Sequence, residues 1–131
     1  MARPRHENPT PAELEVLQVI WQEGPCTVRE VMNALNKQRP RAYTSVMSLM
    51  ETMAKKGLLG QKPKGRAFVY SAKLSRRKAL SDMVKDLLSR AFDGSASSLV
   101  AHLLQQSTPD NEELDEIRKV IREFSKEKGG A

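Results

Sequence analysis

The sequence predicts a mainly α protein carrying one small β-hairpin, divided into an N-terminal part (residues 1–74) and a helical C-terminal part (75–131). Three observations predict it. Apolar residues recur three and four apart along most of the chain, the period of amphipathic helices. One stretch, 58–70, breaks that period with two short β-compatible arms around a Pro/Gly/Lys turn. The charge changes at the same boundary: residues 1–74 hold 12 basic and 6 acidic side chains, whereas 75–131 hold ten of each. At 131 residues the chain is one ordinary domain, or a small domain with an appendage. Its 39% hydrophobic content includes only 5% aromatic residues, lean for a self-sufficient core. Part of its apolar surface is therefore expected to lie against a partner.

Thr10-Pro11-Ala12-Glu13 is a helix start: Thr10 accepts from the free N–H groups, Pro11 suits the first turn and Glu13 closes a capping box. Leu14, Leu17, Ile20 and Trp21 follow at helical spacing until Gly24-Pro25 ends the segment. Thr27 and Glu30 form a second box, and Val28, Val31, Met32 and Leu35 make an amphipathic helix of about three turns. After Pro40, a third helix beginning at Arg41 carries Val46, Leu49, Met50 and Met53 inward. Gly57 caps its end, and Lys55 and Lys56 complement its dipole. The hairpin of Leu58–Tyr70 has a basic tip and apolar ends. Beyond Lys73, Ser75 is the expected cap of a helix with Leu80, Met83, Val84, Leu87, Leu88 and Ala91 on one face. Phe92–Ser95 breaks it, and Leu99, Val100, Leu103 and Leu104 mark a short helix. Thr108-Pro109 opens a last helix lined by Leu114, Ile117, Val120, Ile121 and Phe124, with a tail fraying from Lys126.

Several function classes are excluded at this level. No apolar run approaches the roughly 18 residues of a membrane span. The basic N-terminus lacks the apolar stretch of a signal peptide. A lone cysteine, Cys26, forms no internal disulfide and fits a reducing cytoplasm. Its place before the second helix suggests a lowered pKa and a redox switch. His6 and His102 stand far apart with no ligand-spaced cluster, so no metal site is expected. No GxGxxG, Walker A or HExxH motif and no nucleophile–base pair occurs, so neither an enzyme, a cofactor nor a small-molecule substrate is expected.

Three helices and a hairpin within about 65 residues is the order of a winged helix-turn-helix. Its third helix can enter a major groove wide enough to admit it. Charge agrees: residues 37–73 carry nine bases against Glu51 alone. Tyr43, Thr44, Ser45 and Ser48, with Ala42 beside them, are the candidates for base-edge contacts. Arg41, Lys62, Lys64 and Arg66 are the candidates for phosphates, which position the protein without reading sequence. The C-terminal stripes hold more apolar surface than a short neighbour covers. Leu80, Met83, Val84, Leu87, Leu88, Leu99, Leu103, Leu114, Ile117, Ile121 and Phe124 are accordingly the expected interface of a two-fold homodimer. Such a dimer would set two recognition helices on a palindromic duplex. A dimeric protein-interaction module and a non-specific architectural DNA binder remain as alternatives.

The spaced matches then identify a relative. Thr10–Leu17, Trp21, Gly24, Thr27–Val31, Ala42–Val46, Lys56–Leu59 and Gly65–Tyr70 closely resemble the BlaI/MecI penicillinase-repressor family. Phe92–Ser95 with Leu99-Val100 extends the resemblance to about residues 8–125. It implies a cytoplasmic homodimeric winged-helix repressor on palindromic operators, whose Tyr43-Thr44-Ser45 end meets DNA beside basic wing residues, controlling a β-lactam-resistance-type or related stress regulon. It also implies relief by a membrane-sensor or other regulatory protease within the dimerisation region. The matching bond is His102–Leu103, where the family has Asn-Phe, so the departure means either no cut or a different protease. A metal-responsive branch carries paired cysteines near the C-terminus; this chain has none after Cys26.

Overall fold

The computed structural model describes residues 8–129. His6 lies outside them, as do Gly130 and Ala131. Both predicted capping boxes form. Thr10 accepts from the Glu13 N–H at 3.2 Å while Glu13 accepts from the Thr10 N–H at 3.0 Å, starting α1 (Pro11–Glu23). Thr27 and Glu30 do the same at 3.2 and 2.8 Å, starting α2 (Val28–Leu35). The chain continues as α3 (Tyr43–Lys55), β1 (Leu59–Lys64), β2 (Ala67–Ala72), α4 (Arg76–Ala91), α5 (Ala96–Ser107) and α6 (Asn111–Gly129). β1 and β2 pair antiparallel, with Lys64 opposite Ala67 across a Gly65-Arg66 turn. Gly65 has φ +62°, a left-handed conformation that suits glycine.

One core joins α1, α2, α3 and the sheet. Leu17, Met50, Met53, Leu59, Val16 and Val31 are its most deeply buried large side chains. Each contributes roughly 1.5–3 kcal/mol relative to an exposed position. All four predicted residues of α2 are inside. In α1 the core side is Val16, Leu17 and Ile20. Leu14 and Trp21, expected to point inward, are only half-buried. Trp21 stays near the surface because its indole N–H donates to the Leu74 carbonyl at 2.9 Å. Leu49 is likewise half-buried at the edge of α3. The sheet gains a further pairing that the sequence did not announce. Cys26 and Tyr70 exchange backbone hydrogen bonds of 3.0 and 2.7 Å, fastening the α1–α2 link to β2.

Charged groups lock the same elements. Glu13 is buried, and its carboxylate accepts from Lys56 Nζ at 2.7 Å, joining the start of α1 to the end of α3. Burial pushes its carboxyl upward, but the Lys56 hydrogen bond and the Thr10 backbone N–H outweigh this, holding it below the usual carboxylate range. Lys56 is therefore a structural partner as well as a dipole complement.

The chain divides into units Met1–Lys85 and Asp86–Ala131, so the division falls inside α4 and not at residue 74. The first turns of α4 belong to the N-terminal core because Leu74 and Ala79 are buried in it. Ser75 caps α4 as expected, accepting from the Lys78 N–H at 3.1 Å. In the second unit Ser95 caps α5 by accepting from the Ser98 N–H at 3.2 Å. Thr108 does not start α6: it ends α5 in a left-handed conformation, φ +42°. Asp110 is the cap instead, accepting from the Glu113 N–H at 2.9 Å. Asp110 directly precedes Asn111, so its carboxylate reaches the free donors of the first turn that a threonine two residues earlier cannot. α6 continues through Lys126 to Gly129, and the last two residues of the expected tail lie outside the described residues. No residue of α5 or α6 is buried.

Candidate nucleic-acid interface

α2 and α3 are joined by residues 36–42, a link held in shape from both sides. The Arg41 backbone N–H donates to Asn36 Oδ1 at 2.8 Å. The Arg41 guanidinium donates to the Leu35 carbonyl at 2.7 Å and to Glu15 at 2.9 Å. Arg41 was expected on a phosphate and at the head of the third helix. The structure instead spends it on the turn, with its side chain only 10% exposed and the helix starting two residues later. This bracing fixes how α3 leaves the body.

At 100° per residue, Thr44, Ser48, Glu51 and Lys55 fall within about 60° of one another, opposite Val46, Met50 and Met53. All four are exposed, as are Ala42, Tyr43 and Ser45. The stripe bears small hydroxyls at its N-terminal end, so nothing bulky stops it meeting a groove floor. Ala42 caps α3 without a side-chain acceptor, unlike Thr10 and Thr27 on the preceding helices. The first-turn N–H groups of α3 therefore remain available to an anion. Tyr43 is not a free aromatic: the Arg29 guanidinium of α2 lies 4.8 Å from its ring centroid, a cation–π contact that steadies both. Arg29 was no candidate from the sequence; its approach from the first turn of α2 to the start of α3 is visible only in three dimensions.

The hairpin presents two different faces, because directly opposed residues of an antiparallel pair point to the same side. Gln61, Phe68 and Tyr70 line a groove of about 540 Å³ against Glu51, Ala54 and Lys55 of α3, with Leu59, Gly60 and Lys73. Lys62, Lys64, Val69 and Ser71 line another, of about 650 Å³, against Pro25, Thr27 and Glu30. The expected grouping of Lys62 and Lys64 with α3 thus needs adjusting. Both are exposed, but they border the α2 side, where Lys64 helps to lower the Glu30 carboxyl after its hydrogen bonds to Thr27. Arg66 stands exposed at the turn itself. The cations bordering the α3–wing groove are Lys55, expected from sequence to complement the helix dipole, and Lys73, which entered there only through the charge count. Phe68, 46% exposed, is the apolar member of that groove. Period-two counting outward from buried Tyr70 would have placed Phe68 there.

The lowered pKa suggested for Cys26 is not what its surroundings produce. The side chain is buried with its thiol against the Gly24 carbonyl at 3.2 Å, and burial, Glu30 and Glu23 push its pKa up. No group of three or more metal-capable side chains occurs among the described residues. Among them, too, no helix is long and apolar enough to cross a membrane.

The expected pairing residues are largely uncovered. Leu80, Val84 and Leu87 along α4, Val100 and Leu103 on α5, and Val120, Ile121 and Phe124 on α6 are exposed. Met83, Leu88, Leu99, Leu114 and Ile117 are half-buried. Val100 and Val120 add to the set named from sequence. His102 and Leu103 are exposed within α5, and the His102 ring meets Phe92 edge-on at 5.1 Å.

A family model described as penicillinase repressor matches residues 9–123. The penicillinase repressor of Bacillus licheniformis is 27% identical over 117 residues, covering 89% of this chain and 91% of that protein. The transcriptional regulator BlaI of Mycobacterium tuberculosis is 32% identical over 114 residues, covering 86% of this chain and 81% of that one. The solution structure of the DNA-binding domain of the repressor BlaI superposes with a TM-score of 0.49 at 29% identity, covering 56% of this chain and 93% of that domain.

Proposed function

This chain belongs to the penicillinase repressor family, and we propose that it works as a homodimer, each α3 reading one half of a palindromic operator. It is a DNA-binding transcriptional repressor and not an enzyme. The observation that carries the finer reading is the juxtaposition of an exposed, small, polar α3 stripe with a cationic hairpin on one braced body. Thr44, Ser45 and Ser48 meet base edges in the major groove, where each base pair shows a distinct donor and acceptor pattern. The uncapped α3 N-terminus, Lys55, Lys73 and the wing cations Lys62, Lys64 and Arg66 meet phosphates and set the register. Arg29 acts through Tyr43, holding the ring at the entrance of the groove. Repression follows when a dimer occupies DNA that a polymerase needs, in the cytoplasm.

Pairing is supported by the uncovered apolar faces of α4, α5 and α6. A two-fold dimer makes one patch complementary to itself, and two linked reading heads match a palindrome. Relief by a regulatory protease at His102–Leu103 completes the proposal. Both side chains are exposed, but the bond lies inside α5, so a cut requires that helix to open locally first. The signal would then act on pairing and not on the reading head.

Selection of bound duplexes from a random pool at stated salt tests this function. The expected result is a palindrome with half-sites about one helical turn apart. Bound DNA without any sequence preference would make the protein an architectural binder, and no salt-sensitive duplex binding would make it a protein-interaction module.

A further inference from the structure

The outer stripe of α3 carries a charge of the wrong sign for a polyanion. Glu51 is the only acid between residues 37 and 73. It is exposed on the same stripe as Thr44 and Ser48, and it forms one wall of the α3–wing groove beside Lys55 and Lys73. Among the described residues no ion pair engages its carboxylate. It caps nothing and fills no core position, since it is the ninth residue of a 13-residue helix. That far along, the helix dipole gives an acid no support. A carboxylate here repels every duplex alike unless a hydrogen-bond donor meets it inside the groove.

The major groove offers few such donors. Guanine shows two acceptors there, thymine an acceptor and a methyl, and adenine an amino group beside the N7 acceptor; cytosine shows its amino group alone. A carboxylate, which only accepts, fits cytosine best. We infer that Glu51 is a specificity-determining residue whose carboxylate accepts a hydrogen bond from the N4 amino group of a cytosine at one position of each half-site. The inference rests on α3 occupying the major groove as proposed above. Thr44 and Glu51 are about 10 Å apart along the helix axis, so they address different base pairs. The charge costs affinity on all other sequences and returns it on the matching one, which is discrimination by repulsion as well as by attraction.

Parallel selections with the full-length wild type, Glu51→Gln and Glu51→Ala, at one salt concentration, test it. Wild type is expected to enrich cytosine at one position per half-site. Glu51→Gln moves that preference to adenine, which glutamine pairs with through two hydrogen bonds. Glu51→Ala flattens it, with about a tenfold loss of discrimination there and none elsewhere. Both variants bind random duplex more tightly than wild type. Thermal melting of both variants should match wild type, since the side chain is exposed. If wild type selects a palindrome and all three base profiles coincide, Glu51 is only a repulsive charge and the inference falls alone. If wild type shows no sequence preference, the groove reading of α3 falls with it.

Discussion

α2 and α6 are both amphipathic helices, yet α2 buries Val28, Val31, Met32 and Leu35 while α6 buries nothing. The difference extends to their surroundings. Around α2 lie two capping boxes, an ion pair with a buried carboxylate, a bridging indole and a core shared by α1, α2, α3, the sheet and the start of α4. The unit that holds α6 has caps and short-range ion pairs such as Arg90–Asp86 and Arg118–Asp115, but Leu87, Val100, Leu103, Val120, Ile121 and Phe124 are exposed and its other large apolar side chains are only half-buried. An apolar stripe states that something covers it, not whether the cover comes from the same chain. In the N-terminal unit the chain supplies it, and in the C-terminal unit a second copy is proposed to.

The largest effect expected from that contrast is on assembly. Replacing Ile121 and Phe124 together by aspartate should weaken pairing about a thousandfold, the range of losing two central anchors at an interface. Sedimentation equilibrium reads this, and the near-native melting of the N-terminal unit shows that the damage is confined. Unchanged association would remove α6 from the interface. Next comes the self-contained core. Met50→Ala should cost about 2–5 kcal/mol at every protein concentration, because it leaves a cavity that no partner can fill. A loss that disappears at high concentration would mean that the reading head also depends on pairing.

Much of this contrast was legible beforehand, for identifiable reasons. Thr10-x-x-Glu13 and Thr27-x-x-Glu30 fixed two helix starts because a capping box is local chemistry, complete within four residues. The four-residue stripe of α2 named its own buried face. Long-range partners were not legible. Arg41 looked like a free cation until Glu15, 26 residues earlier, was seen to hold it. Lys56 looked like a dipole complement until Glu13, 43 residues away, was found beneath it. The sidedness of the wing escaped for a related reason. Charge counting treats Lys62, Lys64 and Lys73 alike, whereas strand alternation and the way the hairpin leans decide which of them faces α3.

The Glu13–Lys56 pair sharpens the comparison through pH. Glu13 has a folded-state pKa below its ordinary value, so it stabilises the fold above that ordinary value, and the contribution is lost as pH falls through the lowered one. Glu13→Gln should cost about 1–2 kcal/mol near neutral pH and remove this part of the acid-side slope. Chemical denaturation between neutral and acidic pH measures both, and parallel slopes for the two proteins would assign the acid sensitivity elsewhere. The smallest effect is a cap. Thr27→Ala should cost about 1 kcal/mol in thermal stability with pairing unchanged. Any loss of association in that variant would break the separation between the two units.

The division of labour itself is tested most directly by the salt dependence of binding to the selected duplex. A dimer whose two subunits together neutralise about ten phosphates should show a log affinity falling with log salt at a slope of roughly −9. Lys55→Ala with Lys73→Ala should make that slope shallower, whereas Arg41→Ala should leave it unchanged while lowering stability. A wild-type slope near zero, or a slope that Arg41→Ala flattens and the lysine pair does not, would contradict the account.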